Sequence, residues 1–140
     1  MKFFHWEIEV DVEETKKQYE KNWERCQCKD CHNFYKAFES LTATENQVFT
    51  DLGIKPSQCV HVSSFGETDK RLVLYHATYH FVGKIIKGKP VSTSEWKEDK
   101  VVKEGNLTFV ITDELIFVPE GFSPPILQLD VSIELPWVLG

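Results

Sequence analysis

Apolar and polar side chains alternate along the first segment of the chain, Phe3 to Val12. In an extended segment one face would carry Phe4, Trp6, Ile8, Val10 and Val12, and the other would carry His5, Glu7, Glu9 and Asp11. A period of two residues is typical of a half-buried β-strand. The chain is therefore predicted to start with a strand.

A helical period follows this strand. Asp11 and Glu14 have the three-residue spacing of a capping box. Three side chains then recur at the i, i+4, i+7 spacing of one helix face: Tyr19, Trp23 and Cys26. A first helix is predicted from about Glu13 to Arg25.

A second helical region is predicted after residue 31. The same spacing is repeated by Phe34, Phe38 and Leu41. Thr44 and Gln47 suggest a further helix cap, and Gly53 with Pro56 closes the region, because glycine favours the end of a helix and proline cannot continue one.

Beyond Pro56 the pattern indicates strands. Cys59 to Phe65 and Arg71 to Ile86 are rich in β-branched and aromatic residues and flank a turn-like GETDK, so they are predicted to form a hairpin. The polar segment Lys87 to Lys103, with Gly88 and Pro90, is predicted to be a long loop.

The last third of the chain predicts more strands. Asn106 to Ile111 and Leu115 to Val118 are expected to form a second hairpin around Thr112 to Glu114. Ile126 to Leu135 alternates cleanly, with five side chains facing inward: Leu127, Leu129, Val131, Ile133 and Leu135. The predicted fold class is α+β, an antiparallel sheet of about six strands with the N-terminal helical segment packed on one side or end.

Length, composition and charge favour one acidic domain. The 140 residues, 41% of them apolar, are enough for one core, so a single globular domain spanning 1–140 is expected. Glu7 and Glu9 interrupt any signal-like apolar start, and no apolar run reaches the length of a membrane span. We therefore expect a cytoplasmic protein with no membrane association.

The formal net charge of −6 bears on the choice of partner. It speaks against nonspecific nucleic-acid binding and suits a basic protein partner. The lysines between Lys84 and Lys103 are mixed with acids, which is typical of a solvated loop.

Three cysteines fall within six residues: Cys26, Cys28 and Cys31, here called the cysteine cluster. In a reducing compartment such thiols bind metal, exchange disulfides or lie as buried thiols. A structural zinc ion needs four ligands, and the candidates for the fourth are His5, His32, Cys59 and His61. We take the cysteine cluster with His32 as the expected site. Redox chemistry stays open, because Cys28 and Cys31 form a C-x-x-C pair at a predicted helix start.

The other residues with reactive side chains give weaker signals. His76 and His80 would share a strand face but lie about 13 Å apart, too far to bind one metal. Cys59 and His61 would share a strand face at a distance that allows a thiol–imidazole contact. Asp130 and Glu134 are expected on the solvent face of the last strand.

Several segments resemble a known family. They are WERCQCKDCHNF, LGIKP, YHFVG and the C-terminal EGFSPPILQLDVSIELPWVL, with Asn33, Phe34 and Pro136-Trp137 among the distinctive positions. Together they are similar to a family of small uncharacterised proteins, mainly from Gram-positive bacteria, with a C-x-C-x-x-C-x-N-F segment and a C-terminal L-P-W motif. The family pattern has no cysteine at the position of Cys59. The resemblance thus favours three thiols with a histidine, or thiols without metal, and implies no activity.

Two function classes follow from the sequence. The first is a non-enzymatic binding or interaction module, a regulator, inhibitor or immunity-type protein, in which the cysteine cluster stabilises the helical corner. It is favoured by the small size, the acidity and the missing catalytic motifs. The alternative is a small metal- or thiol-dependent enzyme or redox protein that uses the cysteine cluster or a pocket around His80.

Overall fold

The computed structural model describes residues 1–20, 28–57, 59–68, 71–92, 96–97 and 99–139. These residues contain three α-helices, one 3-10 helix and seven strands. The elements in chain order are β1 (Lys2–Phe3), β2 (Trp6–Val10), α1 (Val12–Tyr19), α2 (Lys29–Ala37), the 3-10 helix (Phe38–Ser40), α3 (Ala43–Leu52), β3 (His61–Glu67), β4 (Val73–Lys87), β5 (Val102–Glu104), β6 (Leu107–Thr112) and β7 (Ile126–Leu135). The predicted α+β class with an antiparallel sheet is confirmed.

The long strand β4 organises the sheet. The strands follow the order β1-β2-β4-β7-β6-β5, and β3 also pairs with β4. β7 runs antiparallel to residues 73–82 of β4, β3 to residues 73–78 and β2 to residues 83–87. Every strand pair is antiparallel. β4 therefore connects β1 and β2 on one side of the sheet with β7, β6 and β5 on the other.

Side chains of α1 hydrogen-bond to backbone groups of β4 that lie between the residues paired with β3 and those paired with β2. The Tyr19 hydroxyl donates to the His80 carbonyl at 2.8 Å and accepts from the His80 N–H at 3.2 Å. The Thr15 hydroxyl accepts from the Val82 N–H at 2.9 Å. Buried backbone groups need such partners, so these two side chains fix α1 against the middle of the sheet.

The hydrophobic core lies between the helices and one face of the sheet. Tyr75 and Tyr79 of β4 meet Phe34 of α2 and Phe49 of α3 edge to face, each pair with ring centres 5.2 Å apart. The five residues of β7 that were expected to face inward are all buried, as predicted: Leu127, Leu129, Val131, Ile133 and Leu135. Directly paired residues of neighbouring strands share a face, and Leu129 pairs with Tyr79. The apolar face of the sheet therefore faces the helices.

One carboxylate links α3 to the β5–β6 turn. Glu45 Oε1 accepts from the Thr42 N–H at 3.0 Å, and the Thr42 hydroxyl accepts from the Glu45 N–H, which closes a capping box. Glu45 Oε2 accepts from the Asn106 N–H at 2.6 Å. A Cβ atom on Gly105, which has φ 61°, would lie 2.5 Å from this oxygen, so any other residue there would be strained and would displace the Glu45 carboxylate. The predicted cap at Thr44 was wrong by two residues, because Thr42 and Glu45 complete the box.

Two predictions for the N-terminal region need correction. The expected single strand from Phe3 to Val12 is a tight hairpin, because Phe4 has φ 53° and the chain turns between β1 and β2. The first helix ends at Tyr19, and residues 21–25 of the predicted helix lie outside the described residues. The predicted closure at Gly53 is confirmed, since Gly53 caps α3 with φ 78°.

The predicted hairpin of Asn106–Ile111 with Leu115–Val118 was wrong. β6 pairs with β5, which lies at the end of the segment predicted to be a loop, and Leu115 to Val118 is exposed and irregular. That segment therefore places four apolar side chains at the surface. No helix within the described ranges is long and apolar enough to cross a membrane.

Candidate functional site

The face of the sheet opposite the helices is polar. On β4 this face carries His76, Thr78 and His80, because alternate residues of a strand point to the same side. Their direct partners on β7 are Ser132, Asp130 and Gln128. The two longest paired strands thus bring six polar side chains to the centre of one face.

These side chains form a connected hydrogen-bond network. The Thr78 hydroxyl and the Gln128 side-chain amide both donate to Asp130 Oδ1, at 3.2 and 2.9 Å. Gln128 Oε1 accepts from the Ile116 N–H at 2.8 Å and lies 3.0 Å from His80 Nε2. Because Gln128 Oε1 only accepts, His80 Nε2 carries the hydrogen. His80 Nδ1 is then a buried acceptor with no partner among the described residues.

The network is buried although no helix covers it. Asp130 is 8% exposed, and Gln128 and His80 are fully buried. Residues 113–122 lie over one part, where Phe122 packs its ring 6.0 Å from that of His80. Trp96 lies over another part, with its ring 5.3 Å from that of His76. The expectation that Asp130 lies on a solvated face was wrong, because these segments cover most of its surface.

A cavity of about 510 Å³ opens above this network and is here called the Asp130 cavity. Its floor includes His76, Thr78 and Asp130, and Ser63 and His61 of β3 form one side. Three large apolar side chains complete the lining: Phe65, Trp96 and Ile116. Small-molecule sites have this size range and this combination of apolar walls with a few polar groups.

The rim of the Asp130 cavity exposes apolar side chains. Phe65 and Phe117 are 62% and 61% exposed, and Ile116 is also exposed. The Phe117 ring stacks on His61 with centres 5.0 Å apart, and its backbone has φ 55°, which is uncommon outside glycine. Exposed apolar patches and strained backbone both occur preferentially at binding sites.

Asp130 and His76 in the Asp130 cavity, and His80 beside Gln128, are shifted towards their neutral forms. Burial raises the pKa of Asp130, while hydrogen bonds from Gln128 and Thr78 and the charge of His76 oppose the shift. Burial lowers the pKa of His76 from 6.5, and the Asp130 charge opposes this. Burial also lowers the pKa of His80. His76 and His80 are therefore neutral at pH 7.

A second concave region lies at the start of α1 and has a volume of about 610 Å³. Its lining includes Glu9, Asp11, Glu13, Pro124 and Pro125, all exposed. No aromatic side chain lines it. Although this region is larger, its carboxylates are exposed, so a ligand there would have to displace their hydration. The Asp130 cavity is therefore the better candidate site.

The cysteine cluster is only partly described, because Cys26 lies outside the described residues. Cys28 is the N-cap of α2, and its sulfur accepts from the Cys31 N–H at 3.4 Å. Cys28 and His32 are exposed, whereas Cys31 is buried. Within the described ranges no three His, Cys, Asp or Glu side chains are placed to hold a metal ion. The zinc site, which needs Cys26, stays a prediction.

Cys59 and His61 do not share a strand face in β3, because the strand begins at His61. Cys59 precedes β3 and belongs to the hydrophobic core, whereas His61 is exposed and stacks on Phe117. His61 instead lies 3.0 Å from the Ser63 hydroxyl through Nε2. The Cys59 thiol therefore lies in the core and the His61 imidazole at the surface.

Three key residues of the Asp130 cavity were missed in the sequence: Phe65, Trp96 and Asp130. A signal for Asp130 does exist, since pairing β4 with β7 in register would have aligned Thr78 with Asp130 and His80 with Gln128. Trp96 lies in the polar segment predicted to be a loop, where nothing in the local pattern predicts its position. Comparison with family models, with curated proteins and with solved structures finds no match to this chain.

Proposed function

We propose that this protein is a non-enzymatic binding module and that the Asp130 cavity is its recognition site. The observation that carries the proposal is a hydrogen-bonded polar network buried beneath an aromatic-walled cavity. A regulator, inhibitor or immunity-type protein acts through such a site by capturing a partner. The formal charge of −6 favours a basic partner.

Stability alone gives no reason for the polar floor. Replacing a buried polar group and its partners with apolar residues of similar shape is often neutral or stabilising. Asp130, Gln128 and His80 are nevertheless buried together in the sheet's central strands. A polar network retained at such a position is best accounted for by a ligand that contacts it.

An enzymatic role is supported by one observation only. The Ser63 hydroxyl and His61 Nε2 are 3.0 Å apart and both line the Asp130 cavity, as in a nucleophile–base pair. Such a pair also needs a group that orients the base. No described residue hydrogen-bonds to His61 Nδ1, so binding is favoured over acyl transfer. The use of the cysteine cluster by a thiol- or metal-dependent enzyme stays an alternative prediction.

The indole signals in ¹H–¹⁵N NMR spectra test the binding site directly. The chain has four tryptophans, and the Trp6 indole, which donates to the Lys89 carbonyl at 2.8 Å, serves as an internal reference. A set of small planar fragments, neutral and charged, is added at millimolar concentration. We expect some fragments to shift the Trp96 indole and the amides of Ala77 and Ile116 while the Trp6 signal stays constant.

Matched tryptophan variants provide the control. Trp96→Ala should abolish these shifts, whereas Trp137→Ala, which removes an exposed tryptophan outside the Asp130 cavity, should preserve them. Fragments that bind equally well to both variants, or a complete lack of binding at Ala77 and Ile116, would refute the proposed site. Ser63→Ala provides a further readout, because loss of a hydrolytic activity in that variant would favour the enzymatic reading.

A further inference from the structure

The Asp130 carboxylate is buried without a cationic partner. Both of its hydrogen bonds end on Oδ1, and Oδ2 accepts none from the described residues. No Lys or Arg in the described ranges forms an ion pair with it; the one ion pair found there joins Lys84 and Glu9 on the surface. His76, its nearest basic neighbour, is neutral at pH 7. Buried charges in proteins are normally paired, so Asp130 lacks a positive group.

The walls of the Asp130 cavity suit a planar cation. Trp96 and His76 lie with ring planes 32° apart, and Phe65 meets His76 edge to face at 5.1 Å. Aromatic faces attract cations, and the planar, weakly hydrated guanidinium group both stacks on them and binds carboxylates through parallel N–H donors. The Ser63 hydroxyl offers a further acceptor. The nearby Glu114 charge adds to the negative potential at Asp130.

We infer that the Asp130 cavity binds a guanidinium group, namely the arginine side chain of a basic partner protein, with the group stacked beside Trp96 and donating to Asp130 Oδ2. This inference rests on the proposed function and names the ligand class of the same site. Neutral His76 contributes an aromatic surface without repelling the cation. The exposed rim formed by Phe65 and Phe117 would contact the backbone around that arginine.

The probe is N-acetyl-L-arginine N-methylamide, and its neutral isostere is the matching citrulline compound. Both are titrated into the wild-type protein and followed by the Trp96 indole signal. We expect the arginine probe to bind at least about tenfold more tightly, because one charge-assisted hydrogen bond to a buried carboxylate corresponds to that ratio. The corresponding lysine compound should bind more weakly than the arginine probe.

Matched acid-to-amide variants locate the effect. Asp130→Asn keeps the Oδ1 acceptor and replaces Oδ2 with a donor, so it should reduce arginine affinity to the citrulline level. Glu39→Gln changes the net charge equally on the exposed side of the helical layer and should change neither affinity. If Asp130→Asn does not fold, the comparison of arginine with citrulline on wild-type protein still decides the inference.

The pH dependence gives an independent readout. A bound cation favours ionised Asp130, so arginine affinity should fall as pH is lowered through the pKa of that group. Protonation of His76 on β4 adds repulsion in the same direction. His61 on β3 also lines this space, and the charge of Glu114 on the covering segment acts on Asp130. The affinity of the citrulline probe should fall much less over the same pH range.

The outcomes separate this inference from the proposed function. Equal binding of arginine and citrulline overturns the cation inference and leaves the binding site standing. Tighter binding of the lysine compound overturns the choice of guanidinium. Tighter binding of unblocked L-arginine than of the blocked probe identifies a small-molecule ligand and overturns the partner protein. A lack of binding by every probe at 10 mM, about the upper limit of a specific contact, overturns the inference entirely.

Discussion

Replacing Gln128 with leucine, which removes the side-chain amide, should destabilise the protein. Gln128 is fully buried and connects three groups: Asp130, His80 and the Ile116 N–H. Without it, the buried N–H of His80 loses its side-chain acceptor and keeps only its weaker interaction with the Ile116 backbone. Moving the proton to Nδ1 does not help, because Nδ1 also has no partner among the described residues.

The expected cost follows from these contacts. The hydrogen bond lost by His80 costs about 1 kcal/mol, and the one lost by Asp130 adds about 1 kcal/mol. The Ile116 N–H belongs to an exposed residue and can turn to water, so it adds little. We expect a loss of about 2 kcal/mol in the free energy of unfolding, a large part of the roughly 5–15 kcal/mol typical of a domain.

Urea denaturation followed by circular dichroism measures this change. The m-value should stay constant, since the surface exposed on unfolding hardly changes. The control is Gln47→Leu, which removes an exposed glutamine whose amide donates to Asp51, and its cost should stay within about 0.5 kcal/mol. The double variant with His80→Phe should recover about 1 kcal/mol or more relative to the sum of the single variants, because both partners then become apolar.

Two results would refute this reasoning. A cost below about 1 kcal/mol for Gln128→Leu would mean that the network contributes little to the native state. Additivity of Gln128→Leu and His80→Phe within about 0.5 kcal/mol would mean that their hydrogen bond is not formed. In either case the tautomer assigned to His80 would also have to be abandoned.

Three further predictions concern stability. Burial raises the pKa of Asp130 above 3.8, so over the pH range between the unfolded and the folded pKa the native state keeps a proton that the unfolded chain loses. The free energy of unfolding of the wild type should therefore fall as pH rises through this range. Asp130→Asn should lack this fall, and parallel pH–stability curves of the two proteins would contradict the prediction. Gly105→Ala should cost about 2 kcal/mol and more than Gly66→Ala, because both have positive φ but only Gly105 would press against Glu45; equal unfolding free energies would contradict the contact. The zinc hypothesis for the cysteine cluster predicts about one equivalent of zinc by elemental analysis and a lower melting temperature with a chelator; metal-free protein with unchanged melting would rule it out.

Local patterns predicted the elements whose side chains obey a simple period. Strand β7 alternates along its whole length, and Tyr75 and Tyr79 lie in a long β-branched and aromatic run, so the sheet and its antiparallel class followed from the sequence. The short turn at Phe4 was missed because Phe3 and Phe4 are both aromatic, so an unbroken alternation fits the sequence although Phe3, and not Phe4, is buried beside Trp6. Leu115 to Val118 was misassigned because four consecutive apolar residues in an exposed loop look like a strand.

The candidate site was harder to predict, because it depends on the register between distant strands. Asp130 and Thr78 are 52 positions apart and meet only through the pairing of β4 with β7. An alternating strand with polar residues on one face is normally interpreted as half solvated. Only the positions of Trp96 and residues 113–122 turn that polar face into a buried one.

Glu45 has a consequence for how cooperatively the protein unfolds. One of its oxygens accepts a hydrogen bond at the start of α3, and the other accepts one at the turn between β5 and β6. Loss of either structure leaves a nearly buried carboxylate without its donor. The helix and the far hairpin should therefore open together, and amide hydrogens in both should exchange with deuterium at the same opening free energy.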